Sequence, residues 1–107
     1  MKEVHLFMKD NGSVINTDAE TTIIISLDGN PTTGFGWALD SMDQNVVQNI
    51  QSKYKKTEST AMGSGGEFIF ILSSLKQGSS KISFKYWKHW EGDSSVTNRF
   101  EIQLNVA

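Results

Sequence analysis

The chain has 107 residues, no cysteine, a formal net charge of −2, 37% hydrophobic residues and 21% charged residues. That length suits one domain, 1–107, with a real core, and the balance fits a soluble globular protein rather than a disordered one. Without cysteine there is neither a disulfide framework nor a thiolate metal site, and with Lys and Arg scattered there is no basic footprint for nucleic acid.

No apolar run approaches a membrane span. The N-terminus, Met1 to Met8, lacks the apolar core and small-residue cleavage site of a signal peptide. The chain as given is therefore expected to be cytoplasmic; a processed form would be lysosomal, vesicular or secreted. In chain order, Val4, Leu6 and Met8 share one face of a first strand, which Asp10-Asn11-Gly12-Ser13 breaks. Asn11-Gly12-Ser13 also fits a glycosylation sequon, but the Asn-Gly turn is the simpler reading. A short strand at Val14-Ile15 precedes Asn16-Thr17-Asp18. Thr21 to Leu27 is β-branched almost throughout, with Ile23, Ile25 and Leu27 in phase.

The next stretch, Asn30-Pro31-Thr32-Thr33-Gly34-Phe35-Gly36-Trp37, contains the only proline. Pro31 excludes a central ladder position and Gly34 permits a tight bend. On its own this reads as a stiff turn between strands, which leaves Thr-Thr at the tip unexplained. Phe35, Trp37 and Leu39 alternate out of it. Val46, Val47, Ile50 and Tyr54 suit either a helix or a strand face; a helical turn near Asp43 to Val47, then a strand from Ile50 to Thr57, reconciles the two. Met62-Gly63-Ser64-Gly65-Gly66 is a loop by composition. Glu67 to Ser73 is apolar on both faces, as in a central strand. Gln77-Gly78-Ser79-Ser80 turns into Lys81 to Trp87, with Ile82, Phe84 and Tyr86 inward and Ser83 and Lys85 outward. Tyr86 to Thr97 reads as a long loop, and Phe100, Ile102, Leu104 and Val106 are in phase on a last strand. The pattern predicts an all-β fold: an immunoglobulin-like antiparallel two-sheet sandwich of seven or eight strands.

Consecutive strands in such a sandwich alternate in direction, so alternate loops share an end. The loops after Leu27, Thr57 and Trp87 should therefore project together, and they are the three odd loops of the chain. A rigid scaffold presenting three unusual loops side by side is how sandwich domains build binding sites.

These residues carry a resemblance. Asn30 to Phe35 matches an Asn-Pro-Thr-Thr-Gly-Phe loop, and Gly63-Ser64-Gly65-Gly66 matches a Gly-x-Gly-Gly loop. Lys88-His89-Trp90, followed by Gly92, stands where an Arg-Pro-Trp or Arg-Pro-Phe loop is expected; it keeps the cation and the aromatic but lacks the proline. In this order the chain, from about Ile23 to Val106, resembles the chagasin family of cysteine-protease inhibitors. The resemblance implies a reversible, non-enzymatic inhibitor of papain-type cysteine proteases (papain-like or cathepsin-L-like). It would be monomeric when free and form a one-to-one complex, without cofactor or metal. Loops 30–35, 63–66 and 87–92 would occlude the active-site cleft. The protease-binding residues it implies are Asn30, Pro31, Thr32, Thr33, Gly34, Gly63, Ser64, Gly65, Gly66, Trp87, Lys88, His89 and Trp90.

Physical chemistry assigns each loop a part. Thr32, which the resemblance places nearest the thiol, and Thr33 would offer hydroxyl and backbone donors to the thiolate–imidazolium site without presenting an aligned scissile bond. The glycines would let main chain approach the cleft wall. Trp90 is the natural hot spot, and Lys88 would meet a carboxylate. Without its proline the third loop is expected to be less preorganised, and His89 would make affinity pH-sensitive if it met a charge. Phe35, Trp37 and Tyr86 read as core or loop-base residues, and Trp87 as either contact or strand end. Two other classes stand as alternatives. An acid–base set of His89, Glu91, Asp93 and Ser94 is the kind that arises by chance on a polar loop. A carbohydrate or adhesion module using Trp87 and Trp90 would leave the other two loops without a role.

Overall fold

The computed structural model describes residues 2–30, 33–56 and 65–107. Pro31, Thr32, Gly63 and Ser64, and the end of the strand expected to run to Thr57, lie outside the described residues. Among the described residues, eight strands form two four-stranded sheets. They are β1 (Glu3–Leu6), β2 (Val14–Thr17), β3 (Thr22–Gly29), β4 (Gly36–Ser41), β5 (Val47–Lys56), β6 (Gly66–Ser74), β7 (Gly78–Trp87) and β8 (Asn98–Val106). One sheet has the order β1-β3-β6-β5 and the other β2-β8-β7-β4.

Strand direction alternates along the chain, and every pairing obeys that rule. Odd strands pair antiparallel with even ones: β3 and β5 with β6, β7 with β4 and β8. Two edge pairings join strands of like parity, β1 with β3 and β2 with β8, and are parallel. The sequence pattern assigns faces but not neighbours, so these two could not be foreseen.

The core is the alternation read from the sequence. Ile23, Ile25 and Leu27 from one sheet meet Ile82, Phe84, Phe100, Ile102 and Leu104 from the other, all essentially without solvent contact. Phe84 lies between Phe70 across the sheets (ring centroids 4.5 Å apart) and Phe100 beside it (6.3 Å). β6 is central, as its two apolar faces required. The end of the sandwich bearing Thr17 and Thr21 is closed by hydroxyls: Ser74 Oγ accepts from Thr21 N–H (2.9 Å) and donates to the Asp18 carbonyl (2.7 Å).

Several boundaries differ from the sequence reading. β1 stops at Leu6, because the Asp10 carboxylate accepts the Phe7 N–H (2.8 Å) and starts a 3₁₀ turn, Met8–Asp10. β5 begins at Val47, directly after a turn in which the Asp43 carbonyl accepts from Val46 and Val47 N–H. Ile50 sits at a bulge and is 57% exposed. β5 is an edge strand, and Lys53, Lys55 and Lys56 on it are the usual guard against edge-to-edge association. β7 starts at Gly78, before the expected Lys81, and ends at Trp87 as read; the loop after it contains a 3₁₀ turn, Gly92–Ser95. Ser83, read as outward, is buried.

Phe84→Ala should destabilise the protein by roughly 3–5 kcal/mol, the range for deleting a buried aromatic ring. Denaturant unfolding should show a lower midpoint with an unchanged m-value.

Candidate functional site

The connections following β3, β5 and β7 emerge at one end, where Gly29 pairs with Gly66, Gly66 with Lys56, and Gly36 with Trp87. The first connection crosses from one sheet to the other, and its two ends are pinned to each other. The Trp37 indole N–H donates to the Asp28 carbonyl (2.9 Å), and the Asn30 N–H donates to the Tyr86 hydroxyl (3.1 Å). Tyr86 lies between Phe35 (5.4 Å, stacked) and Trp37 (5.1 Å). These aromatics form the base of the loop, as the alternation implied.

Above this base the loop closes on itself. The Asn30 carbonyl accepts from both the hydroxyl (2.7 Å) and the N–H (3.2 Å) of Thr33. Thr33 therefore spends both donors inside the loop in the free protein. A hydroxyl within reach of a carbonyl three residues back closes a turn. Gly34 has φ +89°, and a Cβ there would lie 3.1 Å from the Trp90 ring.

Two glycines of the second loop, Gly65 and Gly66, have a place in the packing of this chain itself. Gly66 is buried as the first residue of β6. A Cβ on it would overlap the Lys55 carbonyl and lie 2.6 Å from the Tyr54 hydroxyl. A Cβ on Gly65 would come within 2.5 Å of the Gly29 carbonyl. Packing within this chain already requires both to be glycine.

The third loop, 88–97, is braced on its inner side by Ser95. Its hydroxyl accepts the Lys88 N–H (2.9 Å) and shares its proton between the carbonyls of Gly92 (2.7 Å) and Lys88 (3.0 Å). Lys88 folds back toward Glu91 (3.4 Å) and the Phe35 ring (5.0 Å). Trp90 is 62% exposed, with His89 edge-on to it. Trp87 is a strand-end residue, with the Lys85 ammonium 3.6 Å from the centre of its ring. One ring face is thus covered, which does not suit a pair of open sugar-binding platforms.

The loops touch. Gly34 meets Trp90, and Gly65 meets Gly29 and Asn30. Gly34, Phe35, Trp87, His89 and Trp90 line an open, largely apolar depression of about 430 Å³ beside β4. Asn30, Thr33, Gly34, Gly65, Gly66, Trp87, Lys88, His89 and Trp90 thus fall at one end, as the loop count required. The acid–base set does not assemble: Glu91 is paired with Lys88, Asp93 with Lys85, and the Ser94 hydroxyl donates to the Glu91 carbonyl. Among the described residues no group of three or more His, Asp or Glu side chains could hold a metal. Sequence reasoning missed Ser95 and the Lys85–Asp93 pair. No local signal marks a serine seven residues from its partner or an ion pair eight residues apart.

The described residues form a β-sandwich in which the loop after β3 touches both Gly65 and the loop after β7, above an aromatic base. The chain belongs to the chagasin family of peptidase inhibitors, whose family model matches residues 16–105. It is 26% identical to chagasin of Trypanosoma cruzi over 100 residues, 90% of this chain and 91% of that one. It is 29% identical to amoebiasin-1 of Entamoeba histolytica over 84 residues, 77% of this chain and 78% of that one. The fold is similar to that of the crystal structure of the cysteine protease inhibitor EhICP2 from Entamoeba histolytica. The TM-score is 0.90 at 20% identity, covering 100% of this chain and 97% of that one.

The hydrogen bond between them holds Asp93 below its ordinary carboxylate value of 3.8 and Lys85 above its ordinary value of 10.5. The pair therefore adds stability above pH 3.8 that is lost as the pH falls through the lower folded value of Asp93. At the other limit its contribution is lost as the pH rises through the raised value of Lys85. The thermal midpoint of the wild type should exceed that of Asp93→Asn at about pH 6, and the gap should narrow progressively as the pH falls below 3.8. A gap independent of pH would show that the pair does not stabilise the fold.

Proposed function

We propose that this protein is a reversible inhibitor of papain-type cysteine proteases that acts by filling the active-site cleft, not by catalysis. The observation that carries the reading is the contact of three loops at one end of a rigid sandwich, in a member of a peptidase-inhibitor family. The first loop bridges the sheets and stands between the other two, so it is the part that enters deepest. A thiolate–imidazolium pair needs a scissile carbonyl held in line for attack. A loop whose main chain is closed by Thr33 offers bulk and dipoles in that place but no aligned bond. Because Thr33 is committed within the loop, Thr32 is the residue assigned to the thiol.

The second loop contributes main chain to one side of the cleft and Trp90 grips the other. Trp90 combines high exposure with a fixed position against Gly34, so it can stack on a partner without further ordering. The free protein is proposed to be monomeric and the complex one-to-one.

Titration of papain or a cathepsin-L-like enzyme with a fluorogenic peptide should show stoichiometric, reversible loss of activity. No effect at micromolar inhibitor across several papain-type enzymes would refute the reading. Trp90→Ala should weaken inhibition by about 2 kcal/mol or more, the scale of an interface hot spot. Unchanged affinity in that variant would remove Trp90 from the interface.

A further inference from the structure

The third loop lacks the proline that would stiffen it from within, yet it sits in register with the first. Its outer side shows how. Asp93, in the 3₁₀ turn of the loop, reaches back across the face of the sheet to the Lys85 ammonium at 2.9 Å. Lys85 also meets Asp40 of β4 at 3.4 Å, and Asp40 in turn accepts from Arg99 of β8 at 2.9 Å. The Lys85 side chain is only 12% exposed, whereas that of Asp93 is 79% exposed. The fixed end of this ion pair is therefore the lysine and the free end is the loop. Lys85 further lies over Trp87, the last residue of β7 before the loop.

A surface ion pair of ordinary kind contributes little, because two long side chains must be ordered for a screened attraction. This one differs in geometry. The ammonium is packed against an indole and held by a second carboxylate before Asp93 arrives, so most of the ordering is complete without the loop. The raised titration of Lys85 is in keeping with that double acceptance.

We propose that Lys85 is a positioning residue for inhibition: with Asp40 it forms a fixed socket for Asp93, and this strap sets Trp90 against the first loop as a proline would have done from inside. The inference rests on the inhibitor reading of the preceding section. Strapping the loop before association lowers the ordering cost of binding, so its loss appears in affinity more than in fold stability. β7 is held to β4 and β8 by main-chain pairing on both sides and does not depend on the lysine head group.

The test compares wild type, Lys85→Met, Lys85→Arg, Asp93→Asn and the Lys85→Met/Asp93→Asn double variant against papain. Met keeps the packing of the lysine stem while removing its charge. Lys85→Met and Asp93→Asn should each raise the inhibition constant by roughly tenfold, the double variant by no more than either alone, and Lys85→Arg should restore most of the affinity. In the free protein, hydrogen exchange at the Glu91 and Thr97 amides should accelerate in Lys85→Met while the β7 and β8 amides stay protected. A purely structural lysine would not give that split. Full inhibition by Lys85→Met or by Asp93→Asn, or additive losses in the double variant, overturns the strap while leaving the inhibitor reading intact. Failure of the wild type to inhibit removes the reading itself.

Discussion

The structure depends on the pinning of one loop across two sheets. Where the chain leaves β3 and enters β4 it must cross the sandwich, and a free crossing would leave its two ends untied. Two hydrogen bonds from within the aromatic base prevent this, Trp37 to the Asp28 carbonyl and Asn30 to the Tyr86 hydroxyl. Both partners sit on strand residues and both are partly shielded from water, where an unmade bond is costly. The described flanks of the first loop, at Asp28 to Asn30 and at Trp37, are therefore tied to the core. The other two loops are placed by reference to it: Trp90 rests on Gly34, and Gly65 packs under Gly29 and Asn30.

This arrangement explains why the binding end is rich in glycine for reasons unrelated to the partner. At Gly34 a left-handed backbone and a tryptophan in contact exclude a side chain; at Gly66 two strands close on the residue from either side. A motif glycine can thus encode how loops pack on each other rather than what they touch in a cleft. The same holds for Thr33, whose hydroxyl donates to the Asn30 carbonyl within the loop. Among the described residues this end is held together from inside the chain.

The fold was legible because its core obeys period two. Ile23, Ile25 and Leu27, and Phe100, Ile102, Leu104 and Val106, announce their buried face without reference to any neighbour. Strand parity then located the site, since loops leaving odd strands share an end. What stayed hidden was whatever depends on who lies beside whom. The parallel edge pairs, the start of β7 at Gly78 and the burial of Ser83 arise from neighbours that alternation does not specify. The third loop is the sharpest case. Loss of its proline suggested a looser segment, but Ser95 from one side and Asp93 with Lys85 from the other supply bracing that no short motif encodes.

The most direct test is a footprint of the complex. Backbone amide resonances of the isotope-labelled protein, followed through titration with papain, should shift or broaden within 30–36, 63–66 and 88–92. Amides of the outer sheet faces and of the end bearing Thr17, Thr21 and Ser74 should stay in place. A footprint on those surfaces, with the three loops unmoved, would contradict the assignment of the inhibitory face.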